Sequence, residues 1–258
     1  ELKKIFKENK ISLVPTDEGP KAMIDQLSKV YANQQQVILG GTLPSAKAAT
    51  DGPLNTFVLH RTLLESANPF LKHHVIQGNA VLPIINASTW MAQSAADLYP
   101  GFHLAGAEKV KLFNGIVFDG NQKDEYLTNI EEIEKSETLI KVKVNISSDN
   151  GTKLPTNHYR SIITLTSERR EAPSIALPDI NSYNPVEPNA SIIYEDGTLF
   201  HGDDFRGVKQ ILELNKEGTL LLCEHEGVDP NRQGQFPVKE LNVFLTDVMY
   251  QSLLIWIR

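Results

Sequence analysis

The chain has 258 residues, and its 41% hydrophobic content is enough for a substantial core, which excludes wholesale disorder. Lys and Arg number 25 against 32 Asp and Glu, a formal net charge of −7 with a pI near 5.5. That balance excludes a general nucleic-acid or anionic-membrane binder, since both need a basic surface. A lone cysteine, Cys223, permits neither an intramolecular disulfide nor an all-cysteine metal site. Glu1 to Lys10 is charged and lacks the apolar core of a signal peptide, and no run approaches the roughly 20 apolar residues of a membrane helix. A cytoplasmic protein is expected, with the Asn-x-Ser sequons at Asn86, Asn145 and Asn189 accidental.

In chain order, Ile11 to Val14 is a short extended run closed by Pro15. Thr16 or Asp17 then caps a helix to about Ala32, with Ala22, Met23, Leu27 and Val30 as its apolar stripe. Val37-Ile38-Leu39 follows as a buried strand ending at Gly40-Gly41. This α/β segment, residues 1–45, is too small to bury its own apolar faces and must dock on something.

Residues 46–170 read as an α+β domain. Asn55 to Leu64 is strand-like, and Ala87 to Tyr99 is helical behind Pro83. In Leu139 to Ser147, Val142, Val144 and Ile146 alternate with Lys141, Lys143 and Asn145, a half-buried strand. Asn150-Gly151 signals a turn, and His158 to Thr166 returns as the partner. A helix followed by an antiparallel meander predicts a sheet wrapped around that helix. Residues 171–190, broken by Pro173, Pro178, Pro185 and Pro188, form a linker. In residues 191–258 the pattern restarts: strands at Gly207 to Glu213 and Gly218 to Glu224, then a helix over Asn242 to Ile257. Two copies of one architecture are the simplest account.

Generic catalytic motifs are missing: there is no Gly-x-Ser-x-Gly elbow and no His-Glu-x-x-His, and the histidines lack metal-ligand spacing. One constellation remains. His74 is followed by Gly78 and Pro83, just ahead of the first helix. A histidine supplies a base near neutral pH, and a glycine lets backbone approach a ligand. A helix N-terminus favours developing negative charge. A loop histidine, a turn glycine and a helix-starting proline would make the same pattern.

The run His74 to Pro83 resembles the His-x-x-x-Gly-x-x-x-x-Pro motif of dehydratase domains in polyketide synthases and related fatty-acid synthases. Asn68-Pro69-Phe70-Leu71 resembles the segment before that motif's histidine, while His73 stands where the family usually has Asp. Asp247-Val248-Met249-Tyr250-Gln251 is similar to the family's Asp-x-x-x-Gln/His. Tyr-Gly-Pro-x-Phe is matched in part: Gly197 and Phe200 agree, whereas Asp196 and Thr198 replace Tyr and Pro. Phe200-His201-Gly202 and Phe205-Arg206-Gly207-Val208 continue in the family style. Ile11 to Gly41 resembles the tail of a ketoreductase domain, and Val81 to Ile84 and Phe113 to Phe118 look most like polyunsaturated-fatty-acid or iterative polyketide synthases.

The resemblance implies a double hotdog, two antiparallel sheets each wrapped around a helix, preceded by the short α/β segment. It implies dehydration of a (3R)-3-hydroxyacyl group, carried on an acyl carrier protein, to the trans-2-enoyl thioester. His74 would take the C2 proton and Asp247 would protonate the departing hydroxyl, with Gln251 orienting it. Gly78 N–H would polarise the thioester carbonyl beside the helix that starts behind Pro83. Phe200, His201 and Tyr250 would contact substrate. No metal or organic cofactor is implied. Neighbouring synthase domains and a second copy of the chain are the implied partners.

Such a mechanism needs Asp247 protonated in an apolar setting, which Phe244, Leu245, Val248 and Met249 are expected to provide. Glu131 to Glu137, Ser167 to Glu171 and the pair Asp203-Asp204 read as solvated charge, Trp90 and Met91 as core or tunnel wall, and Cys223 as an inert buried thiol. A hotdog continues beyond its helix, so the sequence is expected to be part of a longer protein; otherwise the apolar face of Asn242 to Ile257 is bare. The alternatives are a non-catalytic double-hotdog scaffold, a dehydratase that also isomerises the double bond, and an acyl-thioester hydrolase, which the His-Asp arrangement suits less well.

Overall fold

A computed structural model describes residues 52–122, 124–149, 151, 154–169, 171, 174–186, 190–226, 229, 232–235 and 242–257, with Pro20 and Ile24. The expected α/β segment, apart from those last two residues, lies outside the described residues. So do Pro173 and Pro188 of the expected linker.

Strand β1 (Thr56–Thr62) opens the first half. It is followed by the short pair β2 (Val75–Ile76) and β3 (Asn79–Val81), then helix α1 (Ile84–Leu98). Next come β4 (His103–Leu112), β5 (Val117–Phe118), β6 (Glu125–Lys135), β7 (Leu139–Ser148) and β8 (Thr156–Thr166). The long strands form one antiparallel sheet in the order β1-β6-β7-β8-β4, and β2-β3-β5 form a small one. Pro83 sits at the helix N-cap with φ −60°, which proline's ring already imposes. From there α1 runs across one face of the sheet, packing on β4, β6, β7 and β8.

Alternation explains the core. Ile140, Val142, Val144 and Ile146 of β7 are all fully buried under Ala87, Met91 and Ala95 of α1. Each such aliphatic side chain contributes about 1.5–3 kcal/mol by leaving water. The buried hydroxyls Ser88 and Thr89 donate to the Ile84 and Asn86 carbonyls within their own helix, so they cost little.

The acidic run of β6 departs from expectation. Glu132 occupies an inward position of the alternation and is buried. Its carboxylate accepts from Tyr99 Oη (2.7 Å) and Asn55 N (2.8 Å) and pairs with Lys135 Nζ (2.9 Å). Burial pushes the carboxyl up, and these partners more than offset it, leaving it below its ordinary value. Strand periodicity, not composition, decided its place.

The second half has α2 (Ala190–Glu195), then the antiparallel hairpin β9 (Val208–Asn215) and β10 (Gly218–Cys223), then α3 (Val243–Trp256). Asn215 closes the hairpin by accepting from Glu217 N and Gly218 N, and Asn242 caps α3 by accepting from Leu245 N. Ile193, Leu199, Val208, Ile211, Val248 and Ile255 make a second core. Met249, Tyr250, Leu253 and Ile257 face outward from α3 and are exposed.

An aromatic knot joins the halves. Phe70 lies 6.4 Å from Phe205 and 6.1 Å from Phe244, ring centre to ring centre, and the latter two are 5.0 Å apart. Aromatic contacts at these spacings add about 0.5–1.5 kcal/mol beyond area burial. Backbone joins there too: Gly202 N donates to His73 O at 2.7 Å, and His74 pairs with His201 as an antiparallel bridge. The fold is α+β, with a hotdog sheet around α1 and α3 docked beside α1.

Candidate active site

His74 follows a short 3₁₀ turn (Pro69–His73) whose Phe70 and Leu71 are buried, so the chain enters the site from an anchored base. Its Nδ1 lies 2.8 Å from Val81 O. A carbonyl only accepts, so Nδ1 carries the hydrogen and Nε2 keeps its lone pair. Among the described residues Nε2 has no hydrogen-bond partner. Burial holds the ring below the ordinary histidine value, partly opposed by the Val81 carbonyl, so His74 is neutral at pH 7.

Asp247 comes from the first turns of α3, on the face that also buries Phe244, Val248 and Gln251. Its carboxyl is pushed up to about 6, by burial above all, with the Gln251 hydrogen bond pulling the other way. Gln251 Nε2 donates to Asp247 Oδ2 at 3.1 Å and to Phe205 O at 2.8 Å. His201 Nε2 stands 3.3 Å from the same Oδ2. Burial, reinforced by neighbouring His74, drives His201 down to about 3, so this contact is not an ion pair at neutral pH. Side-chain nitrogens of His74 and His201 and a carboxylate oxygen of Asp247 lie within 4.8 Å of one another, all buried. His201 Nδ1 is buried without a partner among the described residues. It therefore lacks the acceptor that metal-bound histidines ordinarily find for their second nitrogen.

Phe200 edges onto the His74 ring at 5.0 Å and stacks on His201 at 4.1 Å, and Phe205 meets His74 at 5.7 Å. The apolar walls are thus Phe200, Phe205, Phe244 and Val248. Met249 faces outward instead, because a helix sends residues two apart to different faces. Tyr250 is likewise half exposed on that outer side and does not join the cluster. Gly78 forms the tip of the β2–β3 hairpin, three ladder positions from His74. Gln77 and Gly78 have φ of +50° and +85°, the two left-handed positions of a type I′ turn. Glycine is therefore demanded there by the turn, and its Cβ site is open space.

Sequence reasoning missed three contributors. The Gly-x-x-Phe spacing occurs twice, at Gly197–Phe200 and Gly202–Phe205. The second copy builds the joint: Gly202 N donates to His73 O, and Phe205 packs on Phe70 and Phe244. A Cβ on Gly202 would lie 2.6 Å from His73 Nδ1 and 2.9 Å from His73 Cα, which backbone cannot accommodate. Asp204, read as solvated charge, is buried instead: Arg232 donates to its Oδ1 and His73 Nε2 lies 3.7 Å from Oδ2. Asp203 is exposed, as expected. Tyr194 was overlooked entirely, and it holds Gln251. Cys223 is half-buried, with its thiol pushed up by burial, as suits an inert group.

No family model matches the sequence. Over 264 residues, 100% of this chain, it is 26% identical to one of the subunits of the polyunsaturated fatty acid synthase of Thraustochytrium sp. (strain ATCC 26185 / S-3). It spans 9% of that protein's length. Among solved structures, the dehydratase domain from the CurF module of curacin polyketide synthase superposes with a TM-score of 0.55 at 17% identity, covering 78% of this chain and 70% of that one. A histidine-to-phenylalanine variant of the PpsC dehydratase domain from Mycobacterium tuberculosis gives 0.53 at 16%, over 79% and 70%. An inactive histidine-to-phenylalanine mutant of the CurJ dehydratase gives 0.55 at 15%, over 80% and 69%. The fold is that of the polyketide-synthase dehydratase domains, as the three motifs led one to expect. No helix among the described residues is long and apolar enough to cross a membrane.

Proposed function

We propose that this dehydratase-type domain removes water from a (3R)-3-hydroxyacyl thioester carried on an acyl carrier protein, giving the trans-2-enoyl thioester in polyketide or fatty-acid biosynthesis. One observation carries the reading. A buried neutral histidine with an open Nε2 and a buried carboxyl raised to about 6 converge from opposite halves of the chain. Two groups whose environments push them toward base and acid, side by side in an apolar pocket, are what an elimination requires.

In this scheme His74 Nε2 takes the C2 proton, and the electron pair moves toward the thioester carbonyl. Gly78 N–H and the α1 N-terminus behind Pro83 favour the enolate-like charge. As the C2–C3 double bond forms, the C3–O bond breaks and Asp247 protonates the leaving oxygen, which departs as water. Return of one proton from His74 to Asp247 restores both groups. Gln251 orients the acid, and Phe200 and His201 line the acyl path. No metal or organic cofactor enters the scheme. The carrier protein, neighbouring synthase domains and a second copy of the chain are its proposed partners.

The test is mass spectrometry of a 3-hydroxyacyl thioester, on a carrier protein or short mimic, incubated with wild type, His74→Ala and Asp247→Asn. Wild type should lose water from substrate, and each variant should be slower by about 10²–10⁴-fold while remaining folded. Near-normal turnover in either variant removes that residue from the mechanism. Release of free acid instead of enoyl product would make the protein a thioester hydrolase.

A further inference from the structure

Tyr194 stands at the end of a hydrogen-bond chain that leads to Asp247. Its hydroxyl donates to Gln251 Oε1 at 2.8 Å and accepts from the backbone N–H groups of Gly207 and Val208, both at 3.2 Å. A hydroxyl offers one proton and two lone pairs, so this set is complete. Both backbone partners are donors, which leaves Gln251 Oε1 as the acceptor for the hydroxyl hydrogen. Gln251 is then fixed at both ends: its carbonyl faces the tyrosine, and its amino group faces Phe205 O and Asp247 Oδ2. The Arg206 guanidinium lies 5.2 Å over the Tyr194 ring while its Nε donates to His201 O, so the ring is held from its face as well.

We propose that Tyr194 is a positioning residue which, by locking the Gln251 amide, keeps Asp247 Oδ2 as a hydrogen-bond acceptor and so assigns the transferable proton to Oδ1. The catalytic half of this inference rests on the dehydratase reading; the hydrogen-bond half does not. Oδ2 already accepts from Gln251 Nε2, and His201, whose Nδ1 has no partner among the described residues, turns its ring hydrogen on Nε2 toward the same oxygen at 3.3 Å, so a proton on Oδ2 would meet two N–H groups. Among the described residues Oδ1 has no hydrogen-bond partner, which leaves it free to hold and deliver a proton. The other ionisable groups around the chain do not replace the hydroxyl. His201 Nε2 faces Oδ2 at 3.3 Å, His74 lies within the same cluster, Arg206 is engaged with His201 O, and Cys223 faces Tyr194 only as a neutral thiol.

Tyr194→Phe keeps the ring and deletes the hydroxyl. The amide then keeps Phe205 O as its one anchor and can swing away from Asp247 Oδ2, taking with it the N–H that favours the ionised carboxylate. Losing that donor favours the neutral carboxyl and makes its proton harder to transfer. The experiment is a site-labelled ¹³C-carboxyl NMR titration of Asp247 in wild type, Tyr194→Phe, Gln251→Leu and the double variant, with kcat and KM on a 3-hydroxyacyl thioester. Expected are an upward move of the Asp247 titration in Tyr194→Phe and a fall in kcat on the order of tenfold with KM within about twofold. In the Gln251→Leu background, removing the hydroxyl should move the titration no further, since the two act in series. An unchanged or downward titration in Tyr194→Phe overturns the proposal, because downward is what a loosened, wetter site would give. A further upward move in the double variant overturns it too. If the titration rises as stated but wild type does not dehydrate the substrate, the relay stands and the dehydratase reading falls.

Discussion

His74 and His158 are two buried histidines with nearly the same surroundings on one side of the ring. Both are less than a tenth exposed, and both place Nδ1 on a backbone carbonyl, Val81 O at 2.8 Å and Asn114 O at 3.0 Å. Burial holds both below the ordinary histidine value. They differ at the second nitrogen. His158 Nε2 meets Ser148 Oγ at 2.8 Å across the β7–β8 pair, so its ring is saturated. The open Nε2 of His74 belongs to a ring that shares a pocket with Asp247. Burial and a shifted pKa alone do not mark a catalytic group; an unspent lone pair beside an acid does.

The comparison breaks if the two histidines respond alike. His74→Gln should abolish most turnover, in line with the orders of magnitude given above. His158→Gln should leave turnover within about threefold and instead lower stability by about 1–3 kcal/mol in urea unfolding, the cost of unpaired buried polar groups. Gly202→Ala sharpens the point through the backbone. Its Cβ would drive into His73, displacing the segment that carries His74, and a shift near 1 Å in a catalytic group costs up to about 10²-fold. Turnover should fall by that order, and the Asp247 titration should not make the upward move expected of Tyr194→Phe. A Gly202→Ala enzyme with full activity would show that the Gly202–His73 contact does not set the base.

A smaller effect concerns pH. In the proposed elimination Asp247 must be protonated, and it is raised to about 6, while His74 must be neutral, and it lies below the ordinary histidine value. In the free enzyme kcat/KM should therefore decline above about pH 6 as the acid ionises. Flat kcat/KM from pH 6 to 9 would mean that Asp247 does not supply the proton.

What could be read from the sequence divides along the same line. Elements with one dominant local cause were legible: α1 behind Pro83, the alternation of β7, the hairpin at Asn215–Gly218, and α3 from Asn242. The spacing from His74 to Pro83 and from Asp247 to Gln251 pointed to residues that the fold brings together, although they belong to different halves. What stayed hidden depends on long-range partners. Glu132 and Asp204 look like surface charge until Tyr99, Lys135 and Arg232 arrive beside them. Tyr194 has no motif of its own, yet Gly207 and the first residue of β9, Val208, deliver two N–H groups to it. Gly202 was readable in principle, as the second Gly-x-x-Phe, but choosing between two equal spacings needed the His73 contact.

The smallest prediction returns to His158 and to stability alone. Its pKa is lowered in the folded protein, so between that value and the unfolded value near 6.5 the unfolded chain binds more protons. The stabilisation is thus present above pH 6.5 and is lost as the pH falls through the folded-state value. One such group changes stability by at most about 1.4 kcal/mol per pH unit. His74 and His201 are lowered in the same sense, so wild type carries all three contributions. His158→Gln should flatten the fall in unfolding free energy between pH 7 and 5 without altering the pH dependence of kcat/KM. If it moved the rate profile instead, the saturated histidine and the open one would not be separate, and the contrast between their second nitrogens would lose its meaning.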